Sequence, residues 1–216
     1  MTEEGKQTEK KRAIIFGDEL VEMNIPEQEW VIEKLIPKGG LTFIIAPEKS
    51  AKSFVALKLC CCLTKGIDFF GLKTVTLNSL YIDEENWKNE LKRRLNKLSI
   101  PLGINKEELH KIGFLVFNGI KIKEDLIPKI EAVINELGIQ VIVIDSLVRV
   151  MDGDENKVED IKKLFDCLKI IISKYGTTFI ILHHTRKSKQ WKGAEDARGS
   201  SDLLAQCTSA LVINRS

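Results

Sequence analysis

The chain has 216 residues, of which 44% are apolar and 30% are charged, and its 33 Lys and Arg residues nearly balance its 31 Asp and Glu residues. This composition excludes a disordered or fibrous protein, and a chain of this length can bury enough surface to fold without disulfides or a structural metal. The formal charge of +2 gives no general reason to expect a nucleic-acid partner. Such a partner must therefore be argued from a local patch.

The N-terminal segment differs in composition from the rest of the chain. Residues 1–12 carry almost no apolar content, so we expect a disordered charged tail there and one domain over residues 13–216. The longest apolar runs, such as 141–144 and 179–182, are far shorter than the ~20 residues that a membrane helix needs, and we expect a cytoplasmic protein. Three of the five cysteines are consecutive and none forms a C-x-x-C pair, which favours reduced core thiols.

Strand-like apolar runs alternate with helix-period segments along the domain. The pattern predicts strands at 41–45, 79–83, 114–117, 141–144, 177–182 and 210–213, and helices at 52–63, 87–98, 124–137 and 158–173. Gly176 is a natural stop for the last helix. Because runs such as VIVI and FIIL are apolar on both faces, we expect an α/β fold with a mainly parallel sheet flanked by helices on both faces.

The loop after the first strand has the context of a Walker A motif, between a strand and a helix. In that motif backbone N–H groups cradle a phosphate, the Lys reaches the β- and γ-oxygens, and the hydroxyl binds Mg²⁺. Lys52 and Ser53 supply both side chains, but Ala46 and Ala51 replace the two glycines. We expect Ala46 to be harmless at the strand end and Ala51 to be near-helical, with a methyl that could crowd the phosphate. A turn that opens a helix with a chance Lys-Ser pair is the alternative.

The residues predicted to contact ATP follow from this loop: Pro47, Glu48, Lys49, Ser50, Ala51, Lys52, Ser53 and Phe54.

Carboxylates follow two other predicted strands. Asp145 ends the strand 141–144 and is the candidate Mg²⁺ ligand beside Ser53, although a residue at this position is often only a turn or helix cap. The predicted strand 79–83 ends at Asp83, and Glu84 and Glu85 follow it. Of these carboxylates, Glu85 is the preferred base for activating a water molecule. The alternative is that residues 83–86 merely cap the following helix.

Polar and basic residues follow the strand 177–182. His183 and His184 come first, and one of them could contact the γ-phosphate and report its loss. Residues 185–200 carry five cations against two carboxylates, with Trp191 among them, a composition that suits single-stranded nucleic acid. A solvated surface loop is the alternative. The candidate DNA-contact residues are Arg186, Lys187, Lys189, Lys192 and Arg198.

Taken in order, these motifs resemble the RecA-type P-loop ATPases, and within them the RepA-like branch related to plasmid replicative helicases and to the DnaB and KaiC groups. The resemblance covers about residues 19–213. It is carried by the segment 30–41, the P-x-K-S-x-K-S loop (47–53), the LYIDEEN strand (80–86), VIDSL (143–147), ILHHTRK (181–187) and RGSS (198–201).

The resemblance implies a RecA-like core that hydrolyses ATP with Mg²⁺ at the interfaces of a homo-oligomeric ring such as a hexamer. It assigns Glu85 and Lys52 as catalytic residues, Ser53 and Asp145 as Mg²⁺ ligands, and His184 as the γ-phosphate sensor. Relatives contact DNA through the loop after His184. They also continue into strands with a K-x-R element that reaches the neighbour's nucleotide, and we expect these C-terminal strands to be missing here.

The function expected from residues and resemblance together is that of a Mg²⁺-dependent ATPase that acts on single-stranded DNA, in replication or maintenance of a mobile element. The alternative is a degenerate nucleotide-binding module that regulates or scaffolds a partner without significant hydrolysis.

Overall fold

The computed structural model describes residues 14–154, 157–184 and 204–213. A short helix, α1 (Gly17–Glu22), precedes an antiparallel hairpin formed by β1 (Trp30–Ile32) and β2 (Ile36–Pro37). The central sheet then contains β3 (Leu41–Ala46), β4 (Asn78–Asp83), β5 (Ile112–Val116), β6 (Ile139–Asp145), β7 (Thr178–His184) and β8 (Ser209–Val212). Its strand order is β5-β4-β6-β7-β3-β8.

Every neighbouring pair in this six-stranded sheet is parallel, which confirms the predicted α/β fold. Parallel strands need crossover connections, and helices supply them. The helices are α2 (Lys52–Leu63), α3 (Lys88–Ser99), α4 (Lys106–Leu109), α5 (Ile127–Leu137), α6 (Leu147–Val150) and α7 (Val158–Tyr175), with a 3₁₀ turn at Glu124–Leu126.

Hydrophobic cores lie on both faces of the sheet. Successive strand side chains point to opposite faces, so Phe43 and Ile45 pack with α5 and α7, whereas Ile44 packs with α2. Helix α7 ends where predicted, because Gly176 adopts φ 64°, a conformation that glycine tolerates without strain.

Several predicted boundaries are displaced. β7 extends through His184, because parallel pairing with β3 reaches as far as Ala46. Strand β5 begins at Ile112 and ends before Phe117, whose φ of 51° is incompatible with a strand. Helix α3 begins after Trp87, which is its extended N-cap residue. No periodic pattern in the sequence indicates the shortest elements, α1, α4, α6 and the hairpin.

The cysteine prediction is confirmed. Cys60, Cys61 and Cys62 are free thiols buried under the sheet, and burial raises the pKa of Cys60 and Cys61 to about 12. They are therefore core side chains with little thiolate character. Within the described ranges, no helix has the length and apolar character to cross a membrane.

Candidate functional site

The carboxyl ends of four adjacent strands bring the predicted site residues together. In the sheet, β4, β6, β7 and β3 are consecutive neighbours. Asp83 pairs in register with Asp145, and Ala46 pairs with His184. Since all four strands run in the same direction, the loops that leave them share one sheet edge, where ligands of open α/β sheets bind.

Lys52 points back into the loop that precedes its helix. Its ammonium donates hydrogen bonds to the carbonyl oxygens of Ala46 (2.9 Å) and Pro47 (2.7 Å) and contacts Nδ1 of His184 at 3.0 Å. The residue is only 5% exposed. Burial lowers the pKa of Lys52, and the carboxylates of Asp145 and Glu85 oppose that effect. The loop therefore holds a buried cation at the sheet edge.

Ala51 adopts a left-handed conformation, with φ 63° and ψ 21°. The expectation of a near-helical backbone at this position is wrong, because the chain must reverse sharply between the loop and α2. An L-residue with a Cβ is strained in this region, where glycine is not. Lys49 is also left-handed, at φ 59°. Ala46, in contrast, is an ordinary buried strand residue, as expected.

Asp145 is almost fully buried at the end of β6. Burial raises the pKa of its carboxyl group to about 6, and hydrogen bonds from Ser53 and Tyr81 partly oppose this rise. The Tyr81 hydroxyl donates to Oδ2 at 2.8 Å and lies 3.3 Å from the Ser53 carbonyl oxygen. Asp145 therefore faces the start of α2. The N-cap of α6 is the next residue, Ser146, so Asp145 itself is not a helix cap.

The carboxylates at the end of β4 and just after it bind different partners. Asp83 Oδ1 accepts the N–H groups of Glu85 (2.9 Å) and Asn86 (2.8 Å), so this carboxylate orders the turn. Burial raises the pKa of Asp83, and these N–H groups oppose the rise. Glu84 turns the other way and accepts N–H groups from residues 118–120. The helix-capping alternative is therefore wrong, because the N-cap residue of α3 is Trp87, and Asp83 and Glu84 accept N–H groups from loops instead.

Glu85 faces His184 and Ser146. The Ser146 hydroxyl donates to Glu85 Oε1 at 2.5 Å, and His184 Nε2 lies 3.8 Å from the same oxygen. Interaction with His184, then with Ser146 and Arg149, lowers the pKa of Glu85 to about 2. An ammonium has no acceptor, so Nδ1 of His184 must accept from Lys52 and Nε2–H points toward Glu85. His184 therefore connects the loop lysine to the carboxylate.

A cleft of about 510 Å³ opens over these groups. Its charged lining consists of five cations and two carboxylates: Lys49, Lys52, Arg93, Arg94 and Lys97, with Glu85 and Glu90. Glu90 binds Arg93 and Arg94, each at 2.7 Å. The sequence reasoning missed this contribution of α3. The spacing of residues 90, 93, 94 and 97 was the available signal, because i, i+3 and i+4 positions share one helix face.

The cleft gathers most of the predicted ATP-contacting residues, namely Lys49, Ser50, Ala51, Lys52, Ser53 and Phe54, together with Glu85 and His184. Pro47 contributes its carbonyl oxygen to Lys52 and to Ser50. The candidate DNA-contact residues Arg186, Lys187, Lys189, Lys192 and Arg198, like the tail 1–12, lie outside the described residues.

Comparison with known proteins places the chain in a class of nucleotide-binding proteins. The profile of the AAA domain family matches residues 7–190. The chain therefore belongs to the AAA domain family of P-loop ATPases, and the family implies nucleotide binding. A search of curated proteins returned no match.

The residues at the sheet edge fit a nucleoside triphosphate with Mg²⁺. An excess of cations lines the cleft, as a polyanion requires. The Ser53 hydroxyl and the Asp145 carboxylate are hard oxygen donors, which Mg²⁺ prefers. The raised pKa of Asp145 is also the behaviour of a buried carboxylate that a cation would keep ionised.

Proposed function

We propose that the protein is a Mg²⁺-dependent ATPase that hydrolyses ATP in this cleft. The observation that carries the proposal is the chain of contacts from Lys52 through His184 to Glu85, with Asp145 beside it, at the ends of four adjacent strands. A nucleotide in the cleft would contact Lys52, His184 and Glu85, which line it, while the buried Asp145 lies behind Ser53.

Each side chain has a separate task in this scheme. Lys52 and the N–H groups at the start of α2 bind the phosphates, and the cations of α3 add positive charge at the cleft wall. Ser53 and Asp145 would hold Mg²⁺, which neutralises phosphate charge when bound. Glu85 is ionised and orients a water molecule for in-line attack, accepting its proton as the bond to the leaving oxygen breaks.

The position of His184 suits a sensor. Its ring contacts both the phosphate-binding lysine and the proposed base. When Lys52 turns from the loop carbonyls to a phosphate, His184 loses one hydrogen-bond partner. His184 is the last residue of β7, so its rearrangement would move the carboxyl end of that strand.

The second candidate function is nucleotide binding without significant hydrolysis, and the conformation of Ala51 favours it. A Cβ at φ 63° strains the loop where N–H groups must converge on phosphate. Lys52 also satisfies two loop carbonyls, and a phosphate must compete with them. A protein of this kind would regulate a partner by nucleotide occupancy alone.

We further propose that the protein self-associates and acts on single-stranded DNA, in replication or maintenance of a mobile element. Self-association is supported by residues 14–25, because α1 has no buried residue. The segment instead exposes seven large apolar side chains: Ile14, Ile15, Phe16, Leu20, Val21, Met23 and Ile25. A second copy of the chain would remove this apolar surface from water.

Phosphate release separates the two candidate functions. We expect ATP-dependent release that requires Mg²⁺, rises with single-stranded DNA and disappears in a Lys52→Ala variant. Calorimetric binding of ATP without release supports the second candidate. The absence of both ATP binding and phosphate release would overturn both candidates.

Light scattering of a Leu20→Ser, Val21→Ser double variant tests self-association. Ile100→Ser is its control, because Ile100 is 74% exposed at the end of α3.

A further inference from the structure

Trp87 and Phe117 form an exposed aromatic pair outside the cleft. Their ring centroids are 4.7 Å apart with an interplanar angle of 34°, and the residues are 73% and 42% exposed. Trp87 precedes α3 and Phe117 follows β5. We call this pair the aromatic platform. Exposed aromatic residues that stack on each other leave a flat apolar face toward solvent.

The platform is held in place by the end of β4. Asp83 orders the turn that leads to Trp87 through its bonds to the N–H groups of Glu85 and Asn86. The Asp83 carbonyl oxygen accepts the Phe117 N–H at 3.0 Å. The Glu84 carboxylate then accepts three successive N–H groups, from residues 118–120, at 3.1–3.2 Å. The two rings are therefore pre-positioned by the same strand end that carries Glu85.

The surroundings of the platform are basic. Two grooves of about 340 and 380 Å³ adjoin it, between α3 and the edge strand β5. Among the described residues, the charged side chains that line them are Lys88 and Lys92, and the amides of Asn89 and Asn118 are the other polar groups. The nearest carboxylates along the chain are those of Glu85, which accepts the Ser146 hydroxyl, and Glu90, which is paired with Arg93 and Arg94.

We propose that the aromatic platform, with Lys88 and Lys92, binds single-stranded nucleic acid. Unstacked bases can stack on an exposed aromatic face, which bases inside a duplex cannot do. The lysines would pair with phosphates, and the amides could bond to base edges. A protein partner or a second copy of the chain is less suited, because lysine is depleted in the cores of protein interfaces.

This site lies apart from the nucleotide cleft. None of Trp87, Phe117, Lys88 and Lys92 lines that cleft, although Trp87 is two residues from Glu85. The inference deepens the proposed action on single-stranded DNA but does not depend on ATP hydrolysis. Nucleic acid bound at the platform would therefore shift the turn that positions Glu85, the proposed base.

The test is fluorescence anisotropy of labelled single strands of about 20 nucleotides, with the full chain and without ATP. We expect Trp87→Ala to weaken binding about 5- to 100-fold, and Trp87→Phe to restore most of it, since an aromatic face remains. Ile100→Ala is the matched control, an exposed apolar residue at the opposite end of α3, and should have no effect. Circular dichroism verifies that each variant is folded.

Salt dependence tests the lysines. The double variant Lys88→Gln, Lys92→Gln should reduce the magnitude of the slope of log affinity against log salt by about 1.4, because each of the two phosphate contacts on a single strand contributes about 0.7. Lys162→Gln, at an exposed position on α7, should leave the slope unchanged. Parallel arms with oligothymidylate and oligouridylate distinguish DNA from RNA as the ligand.

Three outcomes would overturn the proposal in different ways. Wild-type binding that Trp87→Ala leaves intact would place the nucleic-acid site elsewhere, with the proposed ATPase untouched. Loss of self-association in Trp87→Ala, with unchanged strand affinity, would identify the platform as a protein contact. If no strand binds the wild type while ATP is hydrolysed, both the platform and the action on DNA fail and the ATPase proposal stands.

Discussion

The two sides of the cleft depart from a P-loop ATPase to different degrees. On the loop side, both motif glycines are alanines and Ala51 is held at φ 63°. On the carboxylate side, Glu85, Asp145 and His184 are each hydrogen-bonded in an arrangement that faces Lys52. The loop backbone is therefore strained, while the predicted side chains on the other side of the cleft are in place. In the proposed scheme this difference separates phosphate affinity, which the loop would set, from the chemical step, which the carboxylates would set.

The largest effect should come from the carboxylate side. Glu85→Gln keeps the shape of the side chain but removes the base, so we expect turnover to fall by about 10²–10⁴ while ATP affinity changes little. Phosphate release and calorimetry measure the two quantities. Glu84→Gln is the control, because that carboxylate binds N–H groups outside the cleft. Equal losses in both variants would contradict a specific role for Glu85.

On the loop side, Lys52→Ala should reduce the affinity for ATP with Mg²⁺ by about 10- to 100-fold, because it removes charge-assisted hydrogen bonds. Calorimetry with the unhydrolysed nucleotide measures this affinity. Lys58→Ala serves as the control on the same helix, since Lys58 lies over the Phe70 ring rather than in the cleft. An unchanged affinity in Lys52→Ala would mean that the loop does not bind phosphate.

The sequence predicted the sheet because its strands are apolar on both faces. Runs such as 141–144 and 179–182 allow few alternatives to buried parallel strands, and the pairing of β6 with β7 confirms them. Residues at strand ends were predictable for the same reason, since parallel strands bring Asp145 and His184 to one edge. A resemblance in motif order added their roles, which remain predictions.

Features that depend on contacts between distant segments could not be predicted. The division of tasks among Asp83, Glu84 and Glu85 is set by where the loop at 118–120 lies, which no local pattern reveals. The conformation of Ala51 was misjudged because the sequence does not show the sharp reversal before α2. Arg93 and Arg94 were missed because a charged helix face ordinarily indicates solvent, until the fold turns it toward a cleft.

A moderate effect on stability should come from Asp145. Its pKa is raised from 3.8 to about 6 in the fold, so the folded state holds the proton more tightly than the unfolded chain does. Ionisation therefore destabilises the fold as pH rises from about 4 to about 6. Asp145→Asn should be more stable than wild type above this window by about 1–3 kcal/mol, and the difference should vanish below it.

Urea unfolding at about pH 8 and about pH 4 measures this difference. Asp125→Asn, at an exposed position, is the control variant. The same Asp145→Asn variant should lose Mg²⁺-dependent nucleotide binding, because the amide lacks the charge. A variant that is less stable than wild type at both pH values would mean that ionisation of the Asp145 carboxyl group does not destabilise the fold.

The smallest effect tests the loop directly. Ala51→Gly should raise the free energy of unfolding by about 0.5–1 kcal/mol, because glycine adopts φ 63° without the cost that a Cβ imposes there. Ala46→Gly is the matched control with the opposite sign. Ala46 is fully buried in β3, where glycine loses about 0.5–1 kcal/mol. If Ala51→Gly also tightens ATP binding, the methyl obstructs the phosphate; if stability rises and affinity does not, the strain lies in the backbone alone and the phosphate site tolerates alanine.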